Sequence, residues 1–125
     1  MIKDIENRED LVMLMSKFYN KLLKDNTISY LFTDIAKINL EEHLPIITDF
    51  WNLSLFGKGN YKNNVLQLHL DLNKKSNLMH EHFKTWLTTF NLTVDENFSG
   101  ENSERIKTKA LSISTVMQIK LHKSA

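Results

Sequence analysis

The stretch LVMLMSKFYNKL at residues 11–22 repeats apolar side chains in steps of three and four, at Leu11, Leu14, Met15, Phe18 and Leu22. This spacing places them on one face of an α-helix. We predict that the helix runs from Arg8 to Lys24. Asn7 is a suitable N-cap, because its side-chain oxygen can accept a free amide of the first turn.

The same spacing recurs in segments on the C-terminal side of this helix. It predicts helices at Ile28–Phe32, at Leu40–Leu55, from Leu78 to Phe90 or Thr93, and at Ser103–His122. A polar loop is expected at residues 33–39, and the type of the apolar segment Val65–Leu72 stays open. Pro45 falls in the first turns of its helix, where a missing N–H costs least, and Asn77 is the expected cap of the next. We therefore predict an all-α fold with four main helices.

Composition narrows the class of protein. The chain has 125 residues, 42% of them hydrophobic, which suits one domain spanning 1–125 with one core. Cysteine is absent, so disulfides, thiolate metal sites and cysteine nucleophiles are excluded. A net charge of +1, with lysines spread along the chain, does not suggest a nucleic-acid surface. We expect no membrane span and no signal peptide, and a cytoplasmic location.

Histidine is the residue type in this chain best suited to bind a metal or to ligate a cofactor. It occurs at His43, His69, His80, His82 and His122. His80 and His82 are two residues apart, so on a helix they point to different sides, and no HExxH motif is present. A zinc-dependent hydrolase is therefore disfavoured, and His122 is interpreted as solvated. His69 lies between Leu68 and Leu70 in a short apolar segment, which suits an axial haem ligand.

Tyr19 and Trp86 each allow two interpretations. Both adjoin apolar helix faces, where an aromatic residue usually serves the core. Each also carries a hydrogen-bond donor, a phenol or an indole N–H, that could point at a bound ligand. The spacing alone leaves both interpretations open.

Six motifs occur in an order that resembles the group III truncated haemoglobins. They are Phe18-Tyr19-Asn20-Lys21, Glu42-His43-Leu44-Pro45, Asp49-Phe50-Trp51, His69-Leu70-Asp71-Leu72, His82-Phe83-Lys84-Thr85-Trp86-Leu87 and the segment VDENFSG at 94–100. Each motif alone is weak, but the set spans the chain from Leu11 to Met117. The resemblance implies a truncated globin, a two-over-two helical sandwich around haem b.

The resemblance also implies roles for individual residues. His69 would be the proximal ligand of a five-coordinate iron, and Tyr19 and Trp86 the distal hydrogen-bonding pair. His43 would occupy the distal histidine position as a gate that does not ligate the iron. The remaining expected haem contacts are apolar or aromatic, and they are Phe32, Ile47, Phe50, Trp51, Leu66, His82 and Phe83.

The resemblance implies a general function but not one particular reaction. It implies binding of O2, together with NO, CO or peroxide, with a role in ligand chemistry or detoxification. NO dioxygenase and peroxidase-like activities stay open. Two strong donors favour slow O2 release, which argues against simple transport. The expected partners are a diatomic gas and, as a further option, a reductase. Binding to nucleic acid or to a membrane is not expected. The protein is expected to be a monomer. The alternative is a cofactor-free helical interaction module, which would be colourless.

Overall fold

The computed structural model describes residues 2–59 and 71–123, with side chains as far as Leu121. Within these ranges lie four long α-helices: α1 at Arg8–Lys24, α2 at Leu40–Phe56, α3 at His80–Asn97 and α4 at Glu101–Lys123. A π-helix at Leu31–Ile35 lies between α1 and α2. Residues 71–75 are also helical. The all-α prediction is confirmed.

The helices pack in two pairs, α1 against α2 and α3 against α4, and α1 also contacts α3. This is the two-over-two arrangement. The largest fully buried side chains come from all four helices and from the two chain segments that precede α1 and α4, and include Ile5, Phe18, Trp51, Phe90, Phe98 and Ile106. No helix in the described ranges combines the length and the apolar character needed to cross a bilayer.

The predicted helix α1 has the expected ends. Asn7 accepts a hydrogen bond from the amide of Asp10 at 3.0 Å, as an N-cap should. The predicted loop at 33–39 is wrong at its beginning, because the π-helix continues to Ile35. The amide of Ala36 donates to the carbonyl of Leu31 at 2.8 Å. This wide turn keeps Leu31 buried and Ile35 against the core.

The ends of α3 differ from the prediction. Asn77 does not cap the helix, which begins at His80. Instead, the Asn73 side chain accepts the amide of Leu78 at 2.8 Å, so residues before His80 form a turn. At the other end the helix continues to Asn97, because the fully buried Val94 extends the apolar face of α3 by another turn.

Pro45 lies in the first turns of α2, as predicted. It is the sixth residue of the helix, so the bond normally donated to the carbonyl of Glu41 is missing. Asn39 compensates at the N-terminus, accepting the amides of Glu41 at 3.0 Å and Glu42 at 3.4 Å. Gly57 ends α2 in the left-handed conformation, with φ 68°, where glycine is favoured.

The segment before α1 is tied to the start of α4 by Asp4. Its carboxylate accepts the amides of Asn102 at 2.8 Å and Ser103 at 2.9 Å, and the Ser103 hydroxyl at 2.7 Å. Gly100 makes this approach possible, since a Cβ there would lie 2.5 Å from the Asp4 carboxyl carbon. Burial raises the pKa of Asp4, but the hydrogen bonds from Asn102, Ser103 and Ile5 outweigh it and hold the pKa below its ordinary value.

Replacing Asp4 with alanine is expected to lower the free energy of unfolding by about 1–2 kcal/mol, the usual effect of losing an N-cap. Because the pKa of Asp4 is lowered by folding, its contribution is present above the ordinary carboxyl pKa of 3.8 and disappears as the pH falls through the lower folded value. Urea unfolding at pH 7 and in acid measures both effects. Asp34→Asn, at an exposed position, is the control, and equal losses in the two variants would contradict the assignment.

Candidate functional site

The first part of the predicted site is a hydrogen-bonded pair. His43 on α2 and Tyr19 on α1 approach with Nε2 and Oη 2.9 Å apart. Their rings meet edge to face, with centroids 5.0 Å apart. Tyr19 is only 5% exposed, and His43 is half-buried. The two residues that the resemblance assigned to one site are thus in direct contact.

Phe32 extends this pair from the π-helix. Its ring lies edge to face against Tyr19, with centroids 5.7 Å apart. The π-helix is therefore part of the site, because it brings Phe32 back over α1. Phe32 itself is only partly buried.

Trp86 approaches the same region through Phe18. The Trp86 ring lies 5.7 Å from Phe18, whose own ring lies 5.4 Å from Tyr19. Trp86 also stacks on Phe90 with an interplanar angle of 17° and centroids 5.5 Å apart, and Phe18 and Phe90 contact each other edge to face at 5.1 Å. Phe18 and Phe90 were assigned only to the core by their spacing, and they fix the plane of the indole.

The other side chains that were predicted to contact a haem differ in how deeply they are buried. Trp51 is 2% exposed and packs on Phe90 at 5.3 Å, so most of its surface serves the core. Phe50 meets Trp51 edge to face, and Ile47 is partly buried on the same helix. Phe83 is buried near the start of α3. His69 and Leu66 lie outside the described residues.

His82 is engaged on both ring nitrogens. The amide of Met79 donates to Nδ1 at 2.9 Å, and Nε2 lies 2.9 Å from the Tyr30 hydroxyl. The imidazole is 6% exposed. Tyr30 was missed by the sequence reasoning, and no signal could have found it, since 52 residues separate it from His82.

His80 points away from His82, as their spacing predicted. Its side chain is exposed, and Nδ1 lies 2.8 Å from the Gln118 side-chain oxygen on α4. Since a side-chain carbonyl only accepts hydrogen bonds, Nδ1 carries the proton. The ring therefore links two helices at the surface.

A set of large apolar side chains is only partly buried although it packs on the core. From the π-helix, α2 and α3 these are Phe32, Leu40, Leu44, Ile47, Phe50, Trp86 and Leu87. Such half-covered side chains beside a buried hydrogen-bonded pair suit a flat apolar group with a polar ligand at its centre. The residues present therefore fit a haem.

A separate open groove has a different lining. Its volume is about 450 Å³, and it is lined by Asp25, Thr27, Glu81, Lys84, Thr85, Thr88 and Thr89. The lining has four hydroxyls and three charged groups. A haem bound here would place its apolar macrocycle against these polar groups and cost them their hydration. This groove does not suit a haem.

The helical sandwich and the paired tyrosine and histidine define a truncated globin. No protein-family model matches the chain. A group 3 truncated haemoglobin of Campylobacter jejuni is 31% identical over 120 residues, covering 94% of this chain and 92% of that protein. The chain belongs to the group III truncated haemoglobins, a family of haem globins.

The fold agrees with a solved member of the family. The crystal structure of a group III truncated haemoglobin from Campylobacter jejuni superposes with a TM-score of 0.88 at 28% identity. The match covers 100% of this chain and 98% of that one. The resemblance noted from the six motifs is therefore confirmed.

Proposed function

We propose that this globin holds haem b and binds O2, with NO, CO or peroxide as further ligands, for ligand chemistry or detoxification. The observation that carries the proposal is the pair of buried Tyr19 and half-buried His43 beside partly buried apolar side chains. When bound, the haem supplies the iron to which a small ligand attaches. The protein's part is to hold that iron, exclude water and place donors near the ligand.

His69 is the proposed proximal ligand, and the other histidines support this choice by their own contacts. Both nitrogens of His82 are engaged, and His80 is an exposed link to Gln118. His43 directs Nε2 to Tyr19. The choice of His69 rests on its place between Leu68 and Leu70 in a short apolar segment and on the family resemblance.

Tyr19 and Trp86 are the proposed distal donors, and His43 the proposed gate. Tyr19 is hydrogen-bonded to His43 at 2.9 Å, and Trp86 packs against the contacting rings of Phe18 and Phe90. Such fixed donors stabilise a polar ligand without the entropy cost of ordering them. A swing of His43 away from the site would break its hydrogen bond to Tyr19, and the free energy of such a bond is modest enough for gating.

The apolar contacts complete the proposed haem site. Ile47, Phe50 and Phe32 would cover the distal side, with Trp51 behind them. Phe83, His82 and Leu66 would lie toward the proximal side. His82 could touch the haem only through carbon atoms, because both of its nitrogens are engaged.

We further propose that the chain is one domain and a monomer in the cytoplasm, with a reductase as electron donor. Ligand chemistry that changes the iron oxidation state needs such a donor. The exposed charged links, among them Arg8–Asp49 and Lys107–Asp95, are typical of a solvated surface.

Titration of the haem-free protein with haem tests the proposal directly. We expect a saturable Soret band of the histidine-ligated type at one haem per chain, and a shifted band when CO is added to the reduced protein. Bovine serum albumin serves as the control for non-specific haem uptake. A colourless protein that gains no specific band would contradict the proposal and favour the helical interaction module.

A further inference from the structure

The hydrogen bonds of His82 determine which of its two ring nitrogens carries the proton. Nδ1 accepts the amide proton of Met79, so the ring proton must be on Nε2. Nε2–H therefore donates to the Tyr30 hydroxyl oxygen, 2.9 Å away. The two rings meet edge to face with centroids 5.8 Å apart.

This hydrogen bond joins two segments that carry proposed site residues. Tyr30 is the N-cap of the π-helix, in which Phe32 contacts Tyr19. His82 is the third residue of α3, and Trp86 follows it by four residues. Residues four apart lie on the same side of a helix, so His82 and Trp86 share one side of α3.

The start of α3 depends on His82 for its definition. Met79 precedes the helix and has no side chain suited to capping, so the imidazole takes the part that Glu or Gln plays in a capping box. The same ring then anchors this turn to Tyr30. Because the first turn of α3 is fixed at this point, the position of Trp86 one turn further along the helix is fixed as well. Trp86 is thereby held in contact with Phe18 and Phe90.

We infer that His82 and Tyr30 are positioning residues, which hold α3 so that the Trp86 indole stays aimed at the bound ligand. The inference rests on the proposed function. It assigns neither residue to contact with O2, and its effect on the ligand passes through Trp86.

Two variants remove this bond from opposite sides. Tyr30→Phe removes the hydroxyl, and His82→Asn keeps an acceptor near Nδ1 but loses the donor at Nε2. Losing one neutral hydrogen bond corresponds to about a two- to tenfold change. We expect each variant to raise the O2 dissociation rate by that factor and to leave CO dissociation nearly unchanged. Because both act on one bond, the double variant should not exceed the larger single effect.

A spectroscopic measurement follows Trp86 itself. With 5-fluorotryptophan incorporated, ¹⁹F NMR of the CO-bound protein shows Trp51 and Trp86 separately, assigned by Trp86→Phe. The Trp86 resonance should shift or broaden in both variants, while that of Trp51 stays in place. His82→Gln, whose amide can reach Tyr30, should recover most of the effect. His80→Asn in the same helical turn is the matched control.

The outcomes are distinct. An unmoved Trp86 resonance with unchanged O2 release would overturn the inference. Shifts of both tryptophan resonances, or equal rises in O2 and CO release, would also overturn it, because they indicate general loosening. If the protein takes up no haem, the proposed function fails, and the ¹⁹F spectra of the protein as isolated still decide whether His82 and Tyr30 position Trp86.

Discussion

His69→Ala is expected to release haem at least about 100-fold more readily than the wild-type protein. Removing only an outer partner of a metal ligand costs about 10- to 100-fold in metal affinity, so loss of the ligand itself should cost more. Apolar burial, at about 25 cal/mol per Å², would keep some haem in the cleft and some colour in the protein. The measurement is the rate of haem transfer to excess apomyoglobin, followed at the Soret band.

Added imidazole separates loss of the ligand from loss of the fold. It should restore a histidine-type spectrum to His69→Ala by occupying the vacated position. His80→Ala, at an exposed histidine, is the matched control and should behave as wild type. Retention of an unchanged histidine-type spectrum in His69→Ala, with its loss in His82→Ala, would mean that the proximal ligand is misassigned.

Tyr19→Phe and Trp86→Phe are each expected to raise the O2 dissociation rate by about ten- to 100-fold. Bound O2 carries negative charge on its outer atom, and a hydrogen bond to a charged acceptor is worth about 1.5–3 kcal/mol. Both donors would serve one small ligand, so the double variant should fall short of the product of the two effects. Stopped-flow dissociation from the four proteins measures this.

CO provides the control for these distal variants. It is less polar when bound, so its dissociation should change little, whereas general damage to the pocket would alter both ligands. His43→Leu leaves the Tyr19 hydroxyl in place and removes its partner, so we expect faster ligand entry from this variant. If O2 release is unchanged in both Tyr19→Phe and Trp86→Phe, the two residues are core aromatics.

Periodicity in the sequence was sufficient to predict the four long helices. The spacing around Phe18 predicted α1 with its cap at Asn7, because an amphipathic helix repeats its signal in each turn. The pair of Tyr19 and His43 was expected on one site through the family resemblance, and the structure brings them into contact.

Features that depend on particular side-chain contacts could not be predicted from helical spacing. The π-helix departs from the usual period because Leu31 and Ile35 both pack on the core. The start of α3 depends on a histidine reaching back to Met79, whereas local propensity favoured Asn77 as the cap. Trp51 carries the same apolar signal as a haem contact, and its contact with Phe90 on another helix does not show in the helical spacing.

The Asp4 carboxylate has a consequence for the lifetime of the folded chain. It bonds to Asn102 across 98 residues of sequence, so closing that loop is costly until the helices between have assembled. Contacts formed after the folding transition state act mainly on the unfolding rate. We therefore expect the Asp4 contacts to slow the unfolding of the globin and to change its folding rate little.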